Sequence, residues 1–100
     1  MEENIRETLR KQLFEVLAQA GSADDVEALL TDLCSPKEIE YMAQRLECAK
    51  MLMDGDTYEN VIEKTEISSA TLSRVSRCVR HGNGGYEIIF KKYLQEKKGS

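Results

Sequence analysis

Apolar side chains recur every three or four residues along almost the whole of this 100-residue chain. This spacing places them on one face of an α-helix. The first apolar stripe runs from Ile5 to Ala20, and the last runs from Tyr86 to Leu94. Strand-like alternation is not evident anywhere, and the chain holds only one proline and six glycines. The pattern therefore predicts an all-α fold.

Breaks in the periodicity divide the chain into six predicted helices. Gly21 ends the first helix, and Ser22 begins a capping signal for the second. The clearest start is Ser35-Pro36-Lys37-Glu38, where serine caps the third helix and proline occupies its first turn. The other predicted boundaries are a stop at Asp54-Gly55-Asp56, a cap at Thr57, a start at Ser68 or Ser69, and a turn at Gly82-Asn83-Gly84-Gly85.

The segment 57–80 has the layout of a helix-turn-helix, a short helix followed by a tight turn and a second helix. Two steeply crossing helices need apolar side chains where they touch, and the chain supplies Val61, Ile67, Leu72 and Val75. Ile62 and Glu66 depart from the pattern, because many such units have alanine or glycine near these places.

The second helix of this unit carries the side chains that we expect to meet DNA. Hydroxyl groups hold phosphates, and arginine can read guanine with two hydrogen bonds. Arg74 is the best candidate near bases, whereas Arg77 and Arg80 are better placed for phosphates. The predicted DNA-binding residues are Ser68, Ser69, Thr71, Ser73, Arg74, Arg77 and Arg80.

Charge is distributed unevenly along the chain. Residues 1–34 carry eight acidic and three basic side chains, residues 35–66 carry eight and four, and residues 67–100 carry two and seven. The formal net charge of −4 therefore hides a basic C-terminal third. Such a face fits an acidic partner, which is either DNA or an acidic surface of another protein. Alternatively, the basic segment only balances its own helix dipole and its acidic neighbours.

Several other classes of protein are disfavoured by residue content. Three widely spaced cysteines and a single histidine, His81, predict neither a disulfide framework nor a metal site. We find no paired carboxylates and no nucleophile–base pattern, so an enzyme is not expected. The sequence lacks an apolar run for a bilayer and a signal peptide, which predicts a cytoplasmic protein without membrane association. We expect Cys48 and Cys78 to pack at or near buried helix faces.

Three short segments in this helical frame carry a family resemblance: Thr57-Tyr58-Glu59, Ala70-Thr71-Leu72-Ser73-Arg74 and Gly82-Asn83-Gly84-Gly85-Tyr86. Together with the stretch 36–77, they resemble the Trp repressor superfamily, and most closely its YerC/YecD-type group. The resemblance implies a single Trp-repressor-like domain over residues 1–100, folded as six helices with a helix-turn-helix. It also implies an intertwined homodimer that binds palindromic operator DNA and represses transcription.

A homodimer is also expected on independent grounds. Six amphipathic helices in a small chain present more apolar surface than one core readily absorbs. A symmetric partner could cover the stripes on the first, second and sixth helices. The alternative is a compact six-helix monomer.

The resemblance further raises the question of a small-molecule effector. In the Trp repressor, one arginine stacks on the indole of tryptophan and another holds its carboxylate, and the matching positions here are Arg45 and Arg74. Val75 stands where the repressor has glycine, and overfilling a packed site costs about 1–3 kcal/mol. We therefore expect another effector, or DNA binding without a ligand. If the two arginines bind no effector, Arg45 pairs with a glutamate such as Glu38 or Glu47, and Arg74 contacts only DNA.

Overall fold

The computed structural model describes residues 1–99, and these residues form six α-helices without any strand. The prediction of an all-α, six-helix fold is therefore confirmed. None of the described helices is both long and apolar enough to cross a membrane. In chain order the helices are α1 (Glu3–Leu17), α2 (Ala23–Leu33), α3 (Pro36–Met53), α4 (Tyr58–Thr65), α5 (Ser69–His81) and α6 (Gly85–Gly99).

The starts of the helices follow the capping signals in the sequence. At α3, the backbone N–H of Glu38 donates to the hydroxyl oxygen of Ser35 at 3.2 Å, and the N–H of Ser35 donates to the Glu38 carboxylate at 2.7 Å. The hydrogen bond from the Ser35 backbone holds the pKa of Glu38 below its usual range, because it favours the ionised form. Ser22, Thr57 and Ser68 accept equivalent bonds at α2, α4 and α5.

Two compact units make up the chain, and the first comprises residues 1–39. It contains α1 and α2, and neither of these helices has a buried residue. The apolar stripe of α1 lies open to solvent, because Ile5 and Leu9 are each 48% exposed. The amphipathic pattern of α1 is thus real, but its apolar side has no cover within the described chain.

The second unit begins at Glu40 and contains the hydrophobic core. All four side chains that the sequence placed at the contact between α4 and α5 are buried, with Val61 and Leu72 fully inaccessible. Burial of these side chains stabilises the pair, since each large aliphatic group contributes about 1.5–3 kcal/mol on removal from water. The buried core residues are Cys48, Ala49, Met51, Val61, Ile67, Leu72, Val75 and Phe90.

Glu66 ends α4 in a left-handed backbone conformation, with φ of 60° and ψ of 17°. Glycine usually occupies this position after a helix, because a Cβ makes the left-handed region unfavourable. The glycine that is common in helix-turn-helix turns is therefore absent here, although the backbone geometry that favours it is present.

Replacing Glu66 by glycine is expected to raise the free energy of unfolding by about 0.5–1 kcal/mol, since glycine adopts the left-handed conformation without steric cost. Urea denaturation measures this change. The matched control is Glu63→Gly within α4, which we expect to lower stability by about 1 kcal/mol. A loss of stability in Glu66→Gly would contradict the assigned backbone geometry.

Candidate nucleic-acid interface

The turn between α4 and α5 is organised by one threonine. The hydroxyl of Thr65 donates to the carbonyl oxygen of Val61 at 2.7 Å and accepts from the backbone N–H of Ile67 at 3.3 Å. Two side chains of α3 reach the same residue. The amide of Gln44 donates to the Thr65 carbonyl oxygen at 2.9 Å, and the thiol of Cys48 donates to its hydroxyl at 3.3 Å. Thus α3 fixes the end of α4 and, through the turn, the place where α5 begins.

Sequence reasoning did not find this network. One local signal was available, because a threonine at the end of a helix often bonds the carbonyl four residues earlier. The α3 partners lie 17 and 21 residues away along the chain, so no local pattern identifies them.

Helix α5 has one buried and one accessible side. Leu72, Val75 and Ser76 face inwards with at most 5% of their surface exposed. Thr71 is half-buried, and the other residues predicted to bind DNA are exposed, namely Ser68, Ser69, Ser73, Arg74, Arg77 and Arg80. The structure therefore brings the whole predicted set to the accessible part of one helix and its cap.

The electrostatic character of α5 is uniformly basic. No acidic residue lies within it, and Arg80 and His81 occupy its last turn. Arg74, Arg77 and Arg80 follow one another at intervals of three residues, and none of them forms an ion pair within the part of the chain that the structure describes. Their guanidinium groups are thus available to an external anion.

Arg45 and Arg74 line the same cavity, which has a volume of about 340 Å³. Val75 also lines it and is only 2% exposed, so its branched side chain is packed rather than free to move aside. The pairing of Arg45 with Glu38 or Glu47 is not observed among the described residues. The other lining residues are Met42, Leu46, Cys78 and Tyr86.

Cys78 corrects one expectation from the sequence. Cys48 is fully buried as predicted, but Cys78 is exposed and lies at the rim of a second, largely apolar groove of about 480 Å³. Cys78 lies one residue before the half-buried Val79 and therefore about 100° around the helix from it, at the edge of the inward side of α5. Leu46, Ile89 and Phe90 also line this groove.

Six helices, with a short helix, a tight turn and a basic helix in the second unit, define a Trp-repressor-like all-α protein. The family model described as Trp repressor protein matches residues 8–94. The chain belongs to the Trp repressor family. Membership of this family indicates a DNA-binding regulator, since the family is regulatory and not enzymatic.

Known proteins similar to this chain come from several bacteria. The uncharacterised YerC protein of Bacillus subtilis is 42% identical over 89 residues, which are 89% of this chain and 86% of YerC. A solved TrpR-like protein from Eubacterium eligens is 35% identical and superposes with a TM-score of 0.83, covering 92% of this chain and 95% of that one. A candidate Trp repressor from Staphylococcus aureus is 32% identical, with a TM-score of 0.83 and 92% coverage of both chains.

Proposed function

We propose that this protein is a sequence-specific transcriptional regulator, a repressor that binds a palindromic operator as a homodimer. The observation that carries the proposal is the accessible side of α5, which combines hydroxyl groups with three unpaired arginines and has no acidic residue. A regulator of this kind works in the cytoplasm, where DNA is found in bacteria.

In this proposal, α4, the turn and α5 act as a helix-turn-helix. The N-terminal part of α5 enters the major groove, where Arg74 donates two hydrogen bonds to a guanine. Arg77 and Arg80 bind phosphates and fix the orientation of the helix. The buried side of α5 supports this role, because Leu72 and Val75 anchor the helix in the core.

The homodimer is supported by the exposed apolar residues of the first unit. A segment without any buried residue gains little from the hydrophobic effect unless a partner covers its stripe. A second copy offers the same stripe in a symmetric arrangement, which is the commonest form of oligomer. Two copies of α5 about 34 Å apart would then meet successive major grooves. We also treat both units as one DNA-binding domain over residues 1–100, because the matched family region crosses the boundary between them.

A small-molecule effector is a second element of the proposal. The guanidinium groups of Arg45 and Arg74 line one cavity, and neither has a carboxylate partner in the described chain. The cavity therefore suits an anionic molecule. Tryptophan fits poorly because Val75 takes up space that a flat indole ring needs.

Calorimetric titration with tryptophan is therefore expected to show no binding with a dissociation constant below about 1 mM. The reason is that the side chain of Val75 overfills the space that the indole ring would occupy. The matched variant Val75→Gly removes the obstructing side chain, and a circular dichroism spectrum verifies that the variant still folds. Micromolar binding of tryptophan to the wild-type protein would contradict this expectation.

Selection of bound duplexes from a random oligonucleotide pool tests the proposed function. We expect the protein to enrich one palindromic sequence with half-sites about one helical turn apart. If no sequence is enriched from the pool, the proposal of a sequence-specific regulator is overturned. That result would favour a helical interaction module whose basic C-terminal third docks on an acidic protein surface.

A further inference from the structure

The turn between α4 and α5 is short, and hydrogen bonds hold the backbone of each of its residues. Helix α4 ends at Thr65, and Ser68 caps α5. Between them lie only Glu66 and Ile67. The backbone N–H of Glu66 donates to the carbonyl oxygen of Ile62 at 2.9 Å, and the N–H of Ile67 donates to the Thr65 hydroxyl at 3.3 Å. The direction in which α5 leaves the turn therefore depends on the end of α4.

The hydroxyl group of Thr65 uses its proton and accepts two bonds, and the chemistry of each partner determines the direction of each bond. The carbonyl oxygen of Val61 can only accept, so the single hydroxyl proton is donated to it at 2.7 Å. The N–H of Ile67 can only donate. The thiol of Cys48, at 3.3 Å, must donate as well, because no second hydroxyl proton exists. The hydroxyl thus joins α3, α4 and the turn, and it cannot rotate without losing a bond.

A second bond joins α3 to the backbone of the same residue. The side-chain amide of Gln44 donates to the carbonyl oxygen of Thr65 at 2.9 Å. This carbonyl belongs to the last turn of α4, where carbonyl groups have no partner inside their own helix. Gln44 and Cys48 are four residues apart, so they lie on one face of α3. Because Cys48 is fully buried in the core, α3 is a fixed support from which Gln44 holds the end of α4.

The angle of α5 matters for recognition because Arg74 lies well beyond the turn. Arg74 follows Ser68 by six residues, which places it about 9 Å further along the helix axis. A rotation of about 10° at the turn would move Arg74 by about 1.5 Å, whereas hydrogen-bond lengths vary within only about 0.5 Å. Attraction between arginines and phosphates depends on charge and tolerates such a shift. Base recognition is therefore the step that is sensitive to the angle.

We infer that Gln44 and Thr65 are positioning residues for sequence recognition, which set the angle at which α5 presents Arg74 to a base pair. This inference rests on the proposed function and adds to it two residues that determine specificity without being part of the DNA-contacting set. A purely structural role would lower only the stability of the fold. A positioning role predicts a weaker preference for the selected duplex, with little change in affinity for other duplexes.

The measurement is the ratio of the affinities for the selected duplex and for a shuffled duplex, at a temperature where circular dichroism shows each variant to be folded. Gln44→Met keeps the length of the side chain and removes its donor, so it should lower the ratio about threefold for each half-site, or about tenfold for two. Thr65→Val keeps the shape without the hydroxyl and should lower the ratio by about the same factor. Thr65→Ser retains the hydroxyl and should leave the ratio within about twofold of the wild-type value.

Asn60→Ala is the matched control, because it removes a half-buried amide bond at the start of α4 that does not involve α3. The amide of Asn60 donates to the Asp56 carboxylate at 2.8 Å. Its loss should lower stability in urea and leave the affinity ratio within about twofold of the wild-type value. Gln44→Met decides the question alone if Thr65→Val does not fold.

Two results would overturn the positioning role. One is a wild-type ratio in Gln44→Met, and the other is an equal fall of the ratio in Asn60→Ala. In either case a wild-type protein that still prefers the selected duplex leaves the proposed function standing. If the wild-type protein shows no such preference, both proposals fail.

Discussion

Replacing Leu9 by glutamate is expected to convert the protein from a dimer into monomers and to weaken operator binding strongly. Leu9 lies in the exposed apolar stripe of α1, which the proposed partner covers. Burying an unpaired carboxylate there costs several kcal/mol, enough to separate the subunits. A monomer would also lose the avidity of two linked half-sites, so DNA affinity should fall by about 10²-fold or more. Light scattering after size-exclusion chromatography and fluorescence anisotropy measure the two effects.

The control is Asn4→Glu, which adds the same charge to α1 about 140° around the helix from Leu9. It should leave both the dimer and DNA affinity unchanged. If Leu9→Glu remained a dimer that binds DNA, the α1 stripe would not be the interface.

Removal of the arginines of α5 is expected to produce the second large effect. Arg74→Ala should reduce affinity for the selected duplex by about 5-fold to 150-fold for each half-site and relax sequence preference at one base pair of each half-site, because a bidentate contact to guanine contributes about 1–3 kcal/mol. Arg77→Ala should weaken binding to all duplexes alike, as expected for a phosphate contact. The slope of log affinity against log salt should become less steep by about one for each half-site.

Lys11→Ala on α1 is the matched control for the loss of one positive charge outside α5. Its effect on affinity should be less than about twofold, because the proposal assigns the DNA contacts to α5. If Lys11→Ala weakened binding as much as Arg74→Ala, a general electrostatic attraction would explain binding and α5 would have no special part in it.

The helical frame could be predicted from the sequence because its signals are local. The capping pair of Ser35 and Glu38 lies within one turn, and the period of the apolar residues identifies the sides of α4 and α5 that face inwards. Val61 and Leu72 were assigned to the contact between α4 and α5 on this basis, and both are fully buried.

Features that depend on tertiary packing could not be predicted in the same way. The bonds from Gln44 and Cys48 to Thr65 join residues far apart in the chain, and they arise only once α3 and α4 are placed in space. The exposure of Cys78 is a related case. Its position at the edge of the inward side of α5 is visible in the sequence, but neighbouring elements decide whether such an edge is covered.

The structure of α5 shows where the basic residues of the C-terminal third lie. The excess of basic residues after residue 66 identifies a segment, but not a surface. Burial of Leu72, Val75 and Ser76 orients the helix, and the three arginines of α5 are exposed. A chain with a net charge of −4 can thus present a basic helix to a polyanion.

The most direct test of the central claim is the affinity of the wild-type protein for its selected duplex and for a shuffled duplex of the same composition, measured from 50 to 200 mM salt. The account predicts at least about 10³-fold preference for the selected duplex. It also predicts a linear fall of log affinity with log salt, with a slope of about −0.9 for each phosphate contact. Equal affinity for the two duplexes, or binding that does not respond to salt, would contradict sequence-specific recognition of DNA by α5.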